Sequence, residues 1–318
     1  MVSNRIALTS GAIAVLIAGG LGVLALDGPS RGEVRLADAP LDGERAFGYL
    51  VEVCDFGPRR SGSDALERLR QRVVEHFTQH GAEVERQAFD AQHPLSGQPV
   101  KMVNVVARWR PEAKRRIVIG AHYDTRPFPD LDPDEEIRTK GDFIGANDGA
   151  SGVALFMELA HHLANWPTPS GVDLVLFDGE ELVFDEQGEY FLGSTHFARQ
   201  YRDRRPAYRY TMGVVVDMIA DADLAIYQEE HSLQLAPQLV RDLWSTARKL
   251  GIREFVPRRG HRVRDDHLPL NLIADIPACN LIDFDYPHWH TAGDTPDKCS
   301  AESLTKVGWV LLEWLRDK

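Results

Sequence analysis

The chain has 318 residues, 43% of them hydrophobic and 26% charged, which suits a globular, enzyme-sized protein with one sizeable core. A formal net charge of −12 leaves no basic surface to neutralise phosphates, so nucleic acid is excluded as a partner class. Three cysteines, Cys54, Cys279 and Cys299, are too few for a disulfide-dense scaffold, although one bridge stays open, and their spacing matches no zinc knuckle.

The N-terminus begins Met-Val-Ser-Asn-Arg and continues as an apolar stretch from Ile6 to Leu26. That length is near the ~20 residues that span a bilayer, and longer than the core of a usual cleaved signal. Val23 and Ala25 nonetheless offer a small-residue cleavage site, so a cleaved leader and an uncleaved anchor both fit. Either one predicts an exported protein, periplasmic or extracellular, with possible membrane attachment through residues 6–26. Polar residues up to about Asp38 read as a linker, which divides the chain into an N-terminal segment 1–38 and a catalytic domain 39–318.

Leu66, Leu69, Val73, Val74 and Phe77 recur at helical spacing, which predicts a helix over 64–80 ended by Gly81, and residues 82–90 read as extended. Short apolar runs follow at Val103–Ala107, Ile117–Gly120, Leu174–Phe177, Gly213–Val216 and Pro277–Ile282, each read as a buried strand. Helical stretches at 152–164, 237–250 and 301–315 are interspersed with them or close the chain. Strands alternating with helices predict an α/β fold, a three-layer α/β/α sandwich around a central, largely parallel sheet. Ligands of such sheets sit beyond the carboxyl ends of the strands, so the polar residues that follow each apolar run are the candidates for chemistry.

Five apolar runs, Phe143–Ala146 among them, end in acidic or imidazole residues. They lead into His122-Tyr-Asp124, Asn147-Asp148-Gly-Ala-Ser-Gly152, Asp178-Gly-Glu180-Glu181, Asp217, and the Asp283 to His290 segment. Singly, each has a bland explanation; Asp148, for instance, suits the N-cap of the helix that follows it. Gathered on one sheet edge, so many negative groups are costly unless a cation holds them. Carboxylates and imidazoles without thiolate suit zinc in an open, catalytic site. His161 and His162 read as surface or helix-packing residues, and the acidic loop 127–136 reads as solvated. Absence of Gly-x-Ser-x-Gly around Ser194 and of His-Glu-x-x-His disfavours a serine hydrolase and the common helical zinc protease.

As an ordered set, His122-x-Asp124, Asn147–Gly152, Asp178–Glu181, Val216-Asp217-Met218 and Trp289-His290-Thr291 resembles the M28 family of zinc aminopeptidases and its glutaminyl cyclase branch, over roughly residues 45–318. Arg264-Asp265-Asp266-His267-Leu-Pro269 is similar to the Asp-Asp-His-x-Pro block of the cyclases. The resemblance implies an α/β/α sandwich with a mixed sheet, and a zinc held by Asp148, Glu181 and His290. It further implies Glu180 as proton shuttle, Asp217 and Asp265 as a carboxylate pair, and Trp289, Phe184 and His267 at the substrate. Peptide or protein N-termini are the implied substrates, with cyclisation of N-terminal glutamine placed ahead of aminopeptidase action. In the aminopeptidase arrangement His122, Asp148 and Asp217 would hold a second zinc, and one ion or two stays open. A catalytically silent binding domain is the third alternative, but no ligand or base is lost. The chain departs from the animal cyclases in two places: Phe184 stands in a stretch that carries their pocket tryptophan, and Ala121 replaces a disulfide cysteine before His122.

Overall fold

A computed structural model describes residues 36–184 and 189–318. The apolar segment 6–26 and most of the proposed N-terminal unit lie outside the described residues. Among the described residues no helix is long and apolar enough to cross a membrane.

The strongly patterned helices form where the sequence punctuates them. Asp42 caps α1 (Gly43–Asp55) and Ser63 caps α2 (Asp64–Gln79), each side chain accepting from a backbone N–H of the first turn. Pro237 opens α7 (Pro237–Leu250), which buries Leu239, Val240, Leu243, Trp244 and Ala247, and Gly251 ends it in the left-handed conformation. Ser300 caps α9 (Ala301–Leu315), an amphipathic helix that buries Leu304, Val307, Val310, Leu311, Trp314 and Leu315.

Six strands form one mixed sheet in the order β1 (Glu83–Gln92), β2 (Pro99–Trp109), β4 (Gly171–Phe177), β3 (Arg115–His122), β5 (Arg209–Asp217) and β8 (Ala278–Ile282). The pairs β1–β2 and β2–β4 are antiparallel, whereas β4, β3, β5 and β8 run parallel. All of β4 and β8 is buried, as expected of parallel strands covered on both faces. Alternate residues supply the two faces. Ile117, Ile119, Leu174, Leu176, Val214 and Val216 join the core made with α1, α2, α4 (Ala150–Leu163), α7 and α9. Val118, Val175, Phe177 and Val215 face a smaller core with Phe197 and Ala198 of α5 (Leu192–Arg204) and Leu270 of α8 (His267–Leu272). The result is the expected three-layer α/β/α sandwich.

Register aligns the carboxyl ends of the parallel strands: His122 pairs with Phe177, and Asp217 with Ile282. Short elements complete the chain, namely α3 (Glu135–Lys140), α6 (Glu230–Leu235) and a two-stranded ribbon of β6 (Ile226–Gln228) and β7 (Phe255–Arg259). One of the five apolar runs that lead into the candidate residues forms no strand. Residues 143–146 are irregular, and Arg59 holds this segment by donating to the carbonyls of Ile144 at 2.8 Å and Gly145 at 3.0 Å. Apolarity there reflects burial of Phe143 and Ala146 beneath the site, which periodicity alone cannot distinguish from a strand. All three cysteines are buried and free, and Cys279 fills a fully buried position in β8.

Candidate active site

Strand ends and the loops behind them converge on one buried cluster. Ligand atoms of Asp148, Glu181 and His290 all lie within 4.8 Å of one another, and the same holds for His122, Asp148 and Asp217. Asp148 belongs to both groups. His122 Nε2 is 3.1 Å from Asp148 Oδ1 and 3.2 Å from Asp217 Oδ1, while His290 Nε2 is 3.2 Å from Glu181 Oε1 and 3.6 Å from Asp148 Oδ2.

Asp148 does not cap the helix that follows it. The N-cap of α4 is Gly149, with no side-chain cap bond, so the carboxylate is free to face the strand ends. Gly149 has φ +93°, and a Cβ there would sit 3.0 Å from the Asp124 carbonyl oxygen and 3.1 Å from the His122 ring. Likewise a Cβ on Gly152 would meet the Ala121 Cβ at 2.6 Å, so a glycine lets α4 approach the sheet behind His122. Asp294 accepts from the N–H groups of Asn147 at 2.8 Å and Asp148 at 3.1 Å, which fixes this turn from the far side of the site. Met218 and His290 adopt positive φ of 47° and 56°, the kind of backbone strain that concentrates at functional sites.

The glutamates are placed by a carboxylate of their own. Asp124 accepts from the backbone N–H of Glu180 at 3.2 Å and of Glu181 at 3.0 Å, so the His122-x-Asp124 spacing delivers one imidazole to the site and one anchor to its loop. Asp178 serves the wall behind, accepting from Ser61 Oγ at 2.7 Å, the Val103 N–H at 2.9 Å and Arg70 at 3.1 Å.

Electrostatics show how crowded the cluster is. Burial and neighbouring carboxylates, Glu181 first among them, push Glu180 well above the usual carboxyl range. Asp148 and Asp217 also shift upward, with burial as the main cause. Burial opposes charge on His290, but Glu181 and Asp130 outweigh it and raise the ring to about 9. Burial disfavours a charged Glu181 too, yet Arg126 and His290 hold it ionised below the usual range.

These donors fit a zinc ion. The set is carboxylate and imidazole, and Asp148 Oδ2 is a buried oxygen without a hydrogen-bond partner, an expensive state unless something positive faces it.

The other expected residues distribute differently. Trp289 packs its ring against His290 at 4.1 Å and against Phe284 at 4.8 Å, forming one side of the site. Asp265 is buried and accepts from Asn280 Nδ2 at 2.6 Å, and its charge is among those raising Asp217. Phe184 lies against His93 at 4.8 Å, beyond the β1–β2 end of the sheet. His267, expected at the substrate, is fully buried with Nε2 3.4 Å from Glu229 Oε2, and so has no surface to present to one.

Arg126 and Asp130 carry no local sequence signal of a role at the site. Arg126 grips Asp130 through two bonds of 2.8 and 2.9 Å and also pairs with Glu181, while Asp130 lies 3.2 Å from His290 Nδ1. The acidic loop is tied to the site at two points, by Asp130 and by Asp132, which accepts from the Ala292 N–H at 3.0 Å beside His290, while residues 133–136 stay exposed as expected. No local spacing announces this, because His290 arrives from the far end of the chain.

Comparison with known proteins agrees with this geometry. The profile of Peptidase family M28 matches residues 104–315. The glutaminyl-peptide cyclotransferase of Drosophila melanogaster is 26% identical over 262 residues, covering 74% of this chain and 70% of that protein. The crystal structure of Fimbriiglobus ruber glutaminyl cyclase superposes with a TM-score of 0.84 at 42% identity, covering 87% of this chain and 95% of that one. A leucine aminopeptidase precursor from Bacteroides thetaiotaomicron gives 0.81 at 30% identity, covering 87% and 98%. The chain belongs to peptidase family M28, on its glutaminyl cyclase branch.

Proposed function

We propose that this chain is a zinc-dependent glutaminyl-peptide cyclotransferase, converting N-terminal glutamine of peptides to pyroglutamate with release of ammonia. The observation that carries this reading is the convergence of Asp148, Glu181 and His290 beside Glu180, a glutamate whose surroundings favour its protonated form. Asp148, Glu181 and His290 would hold the ion. Zinc bound there would supply Lewis-acid polarisation of the γ-carboxamide carbonyl.

The rest of the chemistry falls to the protein. The substrate's α-amine attacks its own side-chain carbonyl carbon, so no external nucleophile is needed and positioning dominates the task. Glu180 takes the proton leaving the amine and returns it to the departing nitrogen as the C–N bond breaks, a double role that suits a carboxyl raised by burial and by neighbouring carboxylates. Asp217, its carboxyl raised chiefly by burial with the Asp265 charge adding to the shift, forms a carboxylate pair with Asp265 beside the metal ligands, and Trp289 forms the wall against the substrate's first residue. Phe184 lies at the rim beside His93, from where it would meet the peptide beyond its first residue.

A second reading has its own observation, since His122, Asp148 and Asp217 also converge within reach of one ion. With two metals, Glu180 would activate water and the enzyme would remove N-terminal residues. Incubating the purified protein with Gln-led and Leu-led peptides under mass spectrometry separates the two. Loss of ammonia from the Gln-led peptide supports cyclisation; loss of a residue from either peptide overturns it in favour of the peptidase.

The apolar stretch 6–26 supports export, by a cleaved leader or an anchor. Cell fractionation tests this, and recovery of the full-length protein in the cytosol would contradict it.

A further inference from the structure

Three imidazoles meet at the end of α4 remote from the active site. His76 lies in the last turn of α2, His80 caps the C-terminus of that helix, and His161 lies in the last turn of α4. His76 and His80 stand one turn apart on the same helix face, an i, i+4 pair whose side chains are neighbours. One ring nitrogen from each of the three residues lies within 4.8 Å of the others. At about 1.5 Å per residue, α4 separates this cluster from Asp148 by roughly 20 Å.

The outer nitrogen of each ring is already engaged. His76 Nε2 is 2.8 Å from the Met157 carbonyl, His80 Nδ1 is 2.8 Å from the His76 carbonyl, and His161 Nε2 is 2.8 Å from the Tyr49 hydroxyl. A carbonyl only accepts, so His76 Nε2 and His80 Nδ1 carry the ring hydrogens and leave lone pairs on His76 Nδ1 and His80 Nε2. His161 Nδ1 lies 3.1 Å from His80 Nε2. Without a metal, His161 donates from Nδ1 to His80 and accepts from Tyr49. Moving that one proton to Nε2, where it is donated to the Tyr49 oxygen, frees a third inward lone pair without net release of a proton. Outer N–H groups held by carbonyl or hydroxyl partners are the arrangement that orients metal-binding histidines.

We propose that His76, His80 and His161 form a second metal site, separate from the active site, that binds zinc or a similar late divalent transition ion. Imidazole donors without carboxylate select such ions over magnesium or calcium. The nearby carboxylate of Glu158 is taken by Arg45 at 2.7 Å and His162 at 3.0 Å, so it does not alter the donor set. His80 and His161 are half-buried, which gives an ion an entry path and leaves room for water in the remaining position. An ion here would staple the end of α2 to the end of α4.

The test uses the full chain, stripped of metal and dialysed against micromolar free zinc at about pH 8, where imidazoles are neutral. His161→Gln and His80→Gln each remove one ligand from a different helix, and circular dichroism verifies that both fold. The expected result is one zinc per chain more in the wild type than in either variant, however many ions the active site takes. Zinc at a hundredfold excess over its dissociation constant should also raise the wild-type melting temperature by roughly 5 °C more than it raises that of the folded variants. Equal zinc content in all three proteins, or a difference that emerges only at millimolar zinc, overturns the site. Because the count is a difference between proteins with the same active site, its failure would leave the cyclase reading untouched.

Discussion

Two clusters of buried charge sit on the same sheet, one at each end of its parallel strands, and they are built on opposite rules. At the amino ends, Arg116 and Asp173 are fully buried and joined by a bond of 2.8 Å, with the Tyr210 hydroxyl and Arg108 closing on the same carboxylate. Arg108 is balanced in turn by Glu85 at 2.7 Å. Every charge there has its counter-charge. At the carboxyl ends, Asp148, Glu180, Glu181 and Asp217 crowd around two imidazoles, and a carboxylate oxygen of Asp148 has no hydrogen-bond partner. The first cluster is complete in the chain itself, whereas the second is complete only with a cation. Structure and function can thus be told apart by whether the protein has finished its own electrostatics.

Breaking each cluster should therefore fail in a different way. The largest effect is expected from Glu180→Gln, which should retain zinc and fold while lowering turnover on the order of a thousandfold. Metal analysis beside a peptide assay checks both halves, and normal turnover would remove Glu180 from proton transfer. Arg116→Leu should do the reverse, costing about 3 kcal/mol of stability in denaturant titration by stranding Asp173, with turnover of the folded enzyme unchanged.

A third balanced cluster sharpens the contrast through pH. Buried Glu158 pays for desolvation, but His162 and Arg45 hold its carboxyl down to about 2, against an ordinary value of 4.5. A depressed carboxyl stabilises the fold above its unfolded value and loses that contribution as pH falls from about 4.5 towards 2. Glu158→Gln should therefore lose up to about 3 kcal/mol at neutral pH and flatten the decline below pH ~4.5, read by thermal melts across pH. The smallest effect is expected from Asp130→Ala, which leaves the ligands in place but releases His290 Nδ1 and one side of Arg126; zinc affinity should fall roughly tenfold.

The residues that could be read in advance are those whose signal is local. α7 and α9 matched the expected spans because proline, glycine and serine mark their ends and apolar periodicity fills them. Four of the five strand-end blocks lie where expected, since buried parallel strands leave continuous apolar runs. The fifth, 143–146, carries the same apolar signature in an irregular segment that Arg59 fastens from outside. Long-range partners leave no local trace: Asp294, Asp130 and Arg126 act on residues far away in the chain, Asp130 on His290 and Asp294 on Asn147 and Asp148, and nothing in their neighbourhoods records it. Phe191, in the left-handed conformation just before α5, offers no capping side chain, and that helix went unpredicted.

Crystals of the zinc-loaded protein, measured by anomalous scattering at the zinc edge, test the central claim most directly. An ion is expected ~2.0–2.2 Å from oxygens of Asp148 and Glu181 and from Nε2 of His290. A protein with full peptide turnover and no zinc among these three side chains would contradict it.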